Sequence, residues 1–106
     1  MNQPEWETKR TPETKKLEKT LGKHFEKVEA YRFNPASIRV RIVDPRFEGK
    51  SPIEREDMVF PVLEELSRKT AEDILMLVLM APGEEKARDN QAIINLDFEH
   101  PSRIIP

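Results

Sequence analysis

The chain has 106 residues, 37% hydrophobic and 36% charged, with a formal net charge of −2 and no cysteine. That is material for one small domain with tails. It excludes disulfides, thiolate metal sites and cysteine nucleophiles within the chain, and the interspersed charges lack the basic footprint that drives non-specific phosphate binding.

Residues 1–10 are nearly all polar and read as a loose tail, with Trp6 as an exposed or loosely packed aromatic or, in a sharper reading, as a tail anchor or partner contact. Thr11-Pro12 is a helix start, because threonine caps and proline suits the first helical position. Leu17, Leu21 and Phe25 then recur every four residues as a narrow apolar stripe. Gly22 weakens that helix, and His24 lies beside the stripe as an edge histidine.

Residues 29–33 read as a short strand and Asn34-Pro35-Ala36 as a turn. Ser37–Val43 is the clearest strand: Ile38, Val40 and Ile42 point one way, Arg39 and Arg41 the other. Asp44-Pro45 ends it. Ser51-Pro52-Ile53-Glu54 carries the cap, the proline and the carboxylate of a capping box, so a second helix starts there. Val59, Val62, Leu63 and Leu66 supply its buried face, and Pro61 predicts a kink or two short helices.

Ile74–Met80 is continuously apolar and suits a strand buried on both faces. The apolar run through Ala81 is far short of the roughly 18 residues that suggest a spanning helix, and Met1 to Arg10 has no apolar core of a signal peptide. Pro82-Gly83 ends the strand, residues 84–90 read as a charged linker, and alternation predicts a fourth strand at 92–98. Residues 101–106 are a tail.

The order is helix, strand, strand, broken helix, strand, and then an appended strand. A helical crossover makes strands two and three parallel. The fold class is therefore α+β: a small mixed sheet with helices on one face. The other face carries Arg32, Arg39 and Arg41 and an apolar row from strand three, either Leu75, Leu77 and Leu79 or its alternate. The C-terminal segment, arginine stems or a second subunit must cover that row.

Catalytic motifs are absent, as are phosphate-cradling glycine loops. Glu54, Glu56 and Asp57 sit on the first turns of a helix, where carboxylates favour the dipole. Asp97, Glu99 and His100 fall on opposite faces of an alternating segment and make a poor metal site. Arg32, Arg39, Arg41, Arg46 and Lys50 are the candidates for a nucleic-acid or partner surface. No cofactor, metal or catalytic residue is expected.

The segment Val43-Asp44-Pro45-Arg46-Phe47-Glu48-Gly49-Lys50-Ser51, leading into Arg55, Glu56, Met58, Val59 and Phe60, resembles the signature of the BolA family. The family shows a strand, an R/F-F-x-G turn and a helix carrying R-H-R-M and a hydrophobic residue. The motif positions here are Arg46, Phe47, Gly49, Ser51, Arg55, Glu56 and Met58. The resemblance covers residues 17–80 and implies an α-β-β-α-α-β fold related to type II KH domains. It divides the chain into a tail at 1–10, a BolA-like domain at 11–82 and an extension at 83–106. It also implies a cytoplasmic, non-enzymatic regulatory or accessory protein, with roles in stress response and morphology through transcription or in iron–sulfur work with monothiol glutaredoxins. Glu56 stands where the family has its cluster-binding histidine, and Asn34-Pro35-Ala36 lacks the second ligand, so cluster sharing is not expected; a carboxylate prefers harder cations than an imidazole does. The expected partner is a protein, with a homo-oligomer as one form. The alternative is KH-like nucleic-acid binding, although no GxxG loop joins the helices. No membrane partner is expected.

Overall fold

A computed structural model describes residues 4–87, 98 and 99. Its order is α1 (Pro12–Leu21), β1 (Lys27–Asn34), β2 (Ser37–Val43), α2 (Pro52–Leu63), α3 (Arg68–Asp73), β3 (Ile74–Met80) and α4 (Pro82–Ala87), with short 3-10 helices at Glu5–Lys9 and Pro45–Phe47. The sheet is three-stranded in the order β1-β2-β3. β1 and β2 are antiparallel; β2 and β3 are parallel. The fold is the small mixed α+β arrangement that the sequence pattern implies.

Local chemistry sets the helix boundaries. Thr11 caps α1 in a reciprocal box with Thr14, and Pro12 follows it. Ser51 and Glu54 make the same exchange at the start of α2, and the amide of Ser51, donating to the Glu54 carboxylate, holds that carboxyl below its usual range. Ser67 caps α3. Two short helices follow Ser51, as expected, but the break does not fall at Pro61: α2 runs through it to Leu63, and α3 starts at Arg68. Pro61 is exposed, so the carbonyl that loses its donor faces water, which can replace the bond.

One face of the sheet carries Ile38, Val40 and Ile42, all fully buried under the helices with Leu17, Leu21, Phe25, Phe47 and Val59. The opposite face carries Glu29 beside Arg41 and Tyr31 beside Arg39. It is roofed by Trp6 and Phe98, both buried, which pack with Tyr31 as a second cluster. The Phe98 ring meets Tyr31 edge-on at 5.0 Å and Trp6 at 5.3 Å. The expectation of a loose tail with an exposed Trp6 is thus corrected for residues 4–10, and the alternative of Trp6 as an anchor is the one the structure has. Trp6 is held because its amide donates to the Glu99 carboxylate and its ring caps a face that would otherwise expose Tyr31.

Three further expectations change. β1 is longer than 29–33. The charged segment after Pro82 begins as α4 rather than as a linker, its first turn closed by amides of Glu84 and Glu85 donating to the Ala81 carbonyl. β3 is an edge strand, mostly half-buried, rather than one covered on both faces. Register puts Met76 and Val78 on the roofed face with Arg39 and Arg41, and Leu77 and Leu79 on the helix face. The step from Ile74 to Met76 passes one residue on β2, so Leu75 is the extra residue of a bulge and is 69% exposed. The strand expected at 92–98 lies outside the described residues, apart from Phe98.

Candidate interaction surface

The turn before α2 is built on Asp44. Its carboxylate accepts from the Arg46 amide and Nε, both at 2.9 Å, and from the Glu26 amide at 3.0 Å. Burial opposes ionisation of Asp44, but these donors outweigh it and hold the carboxyl below its usual range. Arg46 also donates to the His24 carbonyl. Phe47 drops into the core against Phe25. Gly49 has φ 75°, a left-handed conformation that side chains disfavour, and this turns the chain into the Ser51 cap.

Arg55 then ties three elements together. Its guanidinium makes two parallel bonds to Glu84 of α4, at 2.7 and 2.6 Å, donates to the Leu79 carbonyl of β3 at 2.9 Å and reaches the Lys50 carbonyl at 3.0 Å. The fork-to-carboxylate geometry is the strong form of ion pair. Contact with Arg55 lowers the Glu84 pKa to about 2. The Leu79 carbonyl lies on the free side of β3, since the next carbonyl, that of Met80, accepts from Asp44 toward β2. Arg55 and the Leu75 bulge therefore blunt the outer edge of β3. The other edge is tied as well, by Glu18 accepting the Ala30 amide at 2.8 Å.

The five basic candidates do not share a surface. The register places Arg32 opposite Ile38, on the helix side, where it bonds Glu13 and Asp73. Those contacts hold both carboxyls below their usual range. Arg41 is fully buried, with Nε 2.7 Å from Glu29 and its guanidinium 4.6 Å from the Phe98 ring centre. Arg39 lies over the Phe33 ring at 3.6 Å and donates to the Tyr31 hydroxyl and the Glu99 carbonyl. Arg46 is paired with Asp44 at the far end of the sheet, and Lys50 is exposed on the glycine turn. Of the motif residues, Met58 packs on the core and Glu56 is exposed.

The sequence reading missed the outside of α2. Ile53 is 71% exposed and Phe60, two turns on, 48% exposed. Between and beyond them Glu56, Asp57 and Glu64 are exposed on the same stripe. None of these three carboxylates has an ion pair among the described residues. Glu56 lines a small cleft with Pro52, Arg55, Leu77 and Leu79. Glu64 lines a larger one, of about 400 Å³, with Leu63, Leu66, Ala71 and the paired Arg68 and Glu72. The available signal was the spacing of Ile53 and Phe60, which falls opposite Val59 and Val62 on a helical wheel.

No group of three or more metal-ligating side chains occurs among the described residues, and none of their helices is long and apolar enough to cross a membrane. No protein-family model, curated protein or solved structure matches the chain.

Proposed function

We propose that this chain is a small, cytoplasmic, non-enzymatic accessory protein of BolA-like type that works by binding another protein through the outer face of α2. The observation that carries the reading is the exposure of Ile53 and Phe60 on one stripe of a well-capped, firmly anchored helix. Large apolar side chains that stay in water on a rigid element favour association. The BolA resemblance adds regulatory work in stress response or morphology as the expected setting.

Cluster sharing is not part of the proposal, because Glu56 replaces the family histidine and the Asn34 side chain closes a ligand-free turn by accepting from the Ala36 amide. Co-expression with a monothiol glutaredoxin is expected to give no coloured complex; a stable coloured one contradicts this. Nucleic-acid binding is left aside because the arginines are dispersed and mostly paired. A random oligonucleotide pool is expected not to bind at low salt. Micromolar binding abolished by Arg39→Glu would revive that reading.

The direct experiment compares the cellular partners retained by the intact chain and by Ile53→Ser/Phe60→Ser. The variant is expected to fold and to lose its partner. Full retention of that partner by a folded variant refutes the proposal.

A further inference from the structure

The outer face of α2 combines three things: two exposed apolar side chains, two flanking clefts, and carboxylates that nothing in the described chain neutralises. Ile53 and Phe60 are two turns apart, so together they span about 10 Å of helix. Phe60 lies one turn from Glu56, which lines the cleft against Leu77 and Leu79, and one turn from Glu64, which lines the cleft against Leu63, Leu66 and Ala71. An occupant therefore meets apolar seats on both sides of Phe60. Each cleft also holds an arginine, but Arg55 in the first is paired with Glu84 and Arg68 in the second with Glu72, so the charge left over at each is that of Glu56 or Glu64.

The charge is selective. Other carboxylates near the helices are engaged: Glu65 with His24, Glu72 with Arg68, Glu84 with Arg55, Asp73 with Arg32 and Lys69. Glu56, Asp57 and Glu64 are left over on the stripe that also exposes Ile53 and Phe60. An acidic or neutral partner would bring apolar groups to these carboxylates without compensation, at a cost in desolvation. A cationic one would neutralise them.

Pairing of two copies is less well matched. A two-fold contact across this face would place each copy's unpaired carboxylates near those of the other. Strand addition at β3 is obstructed by Arg55 on the Leu79 carbonyl and by the Leu75 bulge.

We infer that the outer face of α2 receives a basic amphipathic segment of a partner protein, with apolar anchors in the two clefts beside Phe60 and Lys or Arg against Glu56, Asp57 and Glu64. The inference rests on the interaction reading above and adds the chemistry of the partner.

The test uses the full chain and two labelled synthetic helical peptides with the same Leu/Phe stripe, one carrying lysines on its polar positions and the other glutamates, followed by fluorescence anisotropy. The lysine peptide is expected to bind and the glutamate peptide not. Affinity should fall as salt rises from about 50 to about 200 mM. Glu56→Lys/Glu64→Lys and Phe60→Ser should each weaken binding by about tenfold or more, whereas Glu26→Lys, at an exposed carboxylate that is not part of α2 and lines neither cleft, should leave it unchanged.

Equal binding of both peptides, abolished by Phe60→Ser, overturns the partner chemistry but leaves the docking face standing. Binding weakened equally by Glu26→Lys and untouched by Phe60→Ser means general attraction to an acidic protein and overturns the inference. Concentration-dependent self-association lost in Phe60→Ser makes a second copy the occupant and also overturns it. If neither peptide binds, the inference fails; if Ile53→Ser/Phe60→Ser also keeps its cellular partners, the interaction reading fails with it.

Discussion

Two regions of this small molecule depart from the usual partition of residues in opposite directions. Beneath Trp6 and Phe98, an arginine is taken out of water beside a partly buried glutamate. On the outside of α2, an isoleucine and a phenylalanine are left in it. The first departure is resolved inside the chain: Arg41 bonds Glu29, its guanidinium lies against aromatic rings, and Tyr31 finds the Phe98 carbonyl at 3.0 Å. The second has no resolution among the described residues. Buried charge that is fully satisfied is structure, whereas exposed apolar surface on a rigid helix is unfinished contact.

The comparison breaks most visibly at Arg41. Arg41→Ala should cost about 3 kcal/mol or more in urea unfolding, because Glu29 loses its partner under the roof. Replacing both, as Arg41→Met/Glu29→Leu, should recover most of that loss, since a buried ion pair is often no better than apolar packing of similar volume. A double replacement as unstable as the single one would mean the pair itself specifies the roof.

Trp6→Ala should cost about 3 kcal/mol. It should also expose Tyr31, whose hydroxyl pKa burial now pushes up. A spectroscopic titration of the variant should find that tyrosine back near its ordinary value. An unchanged titration would mean Phe98 roofs the face alone.

The Arg55–Glu84 pair gives a smaller, pH-dependent effect. The Glu84 pKa is depressed to about 2 in the fold from an ordinary 4.5, so the pair's stabilisation is complete above about pH 4.5 and is lost as pH falls toward 2. Glu84 is 44% exposed, and solvent screening reduces the effect to about 1 kcal/mol. Glu84→Gln should flatten that limb of the stability profile. An identical acid limb in the variant would remove Glu84 as its source.

The smallest effect is the most diagnostic. Phe60→Ser should change stability by less than about 0.5 kcal/mol, as substitutions on an exposed face do. A loss of several kcal/mol would place Phe60 in the core and erase the contrast between the two regions.

Much of the architecture is written locally. Ser51, Pro52 and Glu54 announce α2 because a capping box is satisfied within four residues. Ile38, Val40 and Ile42 announce the buried face of β2 by alternation. Long-range facts leave fainter marks. Trp6 and Phe98 meet across nearly the whole chain, and nothing local in a polar N-terminal segment signals that meeting. The sequence puts Arg32 on the face of Arg39 and Arg41, but the register irregularity between Arg32 and Asn34 leaves it opposite Ile38, and a one-residue difference reverses the face. Pro61 read as a break because sequence cannot tell a solvent-facing helical carbonyl from a buried one. The α2 stripe is obscured in the sequence because Glu56 and Asp57 equally fit favourable charges near a helix start, and exposure of Phe60 depends on the tertiary packing.

The most direct measurement is backbone amide mapping by NMR of the full chain as a binding partner is titrated in. Shifts should concentrate between Ile53 and Glu64 and at Leu77 and Leu79, with Tyr31, Arg39 and Arg41 unmoved. Shifts concentrated at Tyr31, Arg39 and Arg41, with α2 silent, would mean that the roofed face opens to meet the partner and would contradict the account.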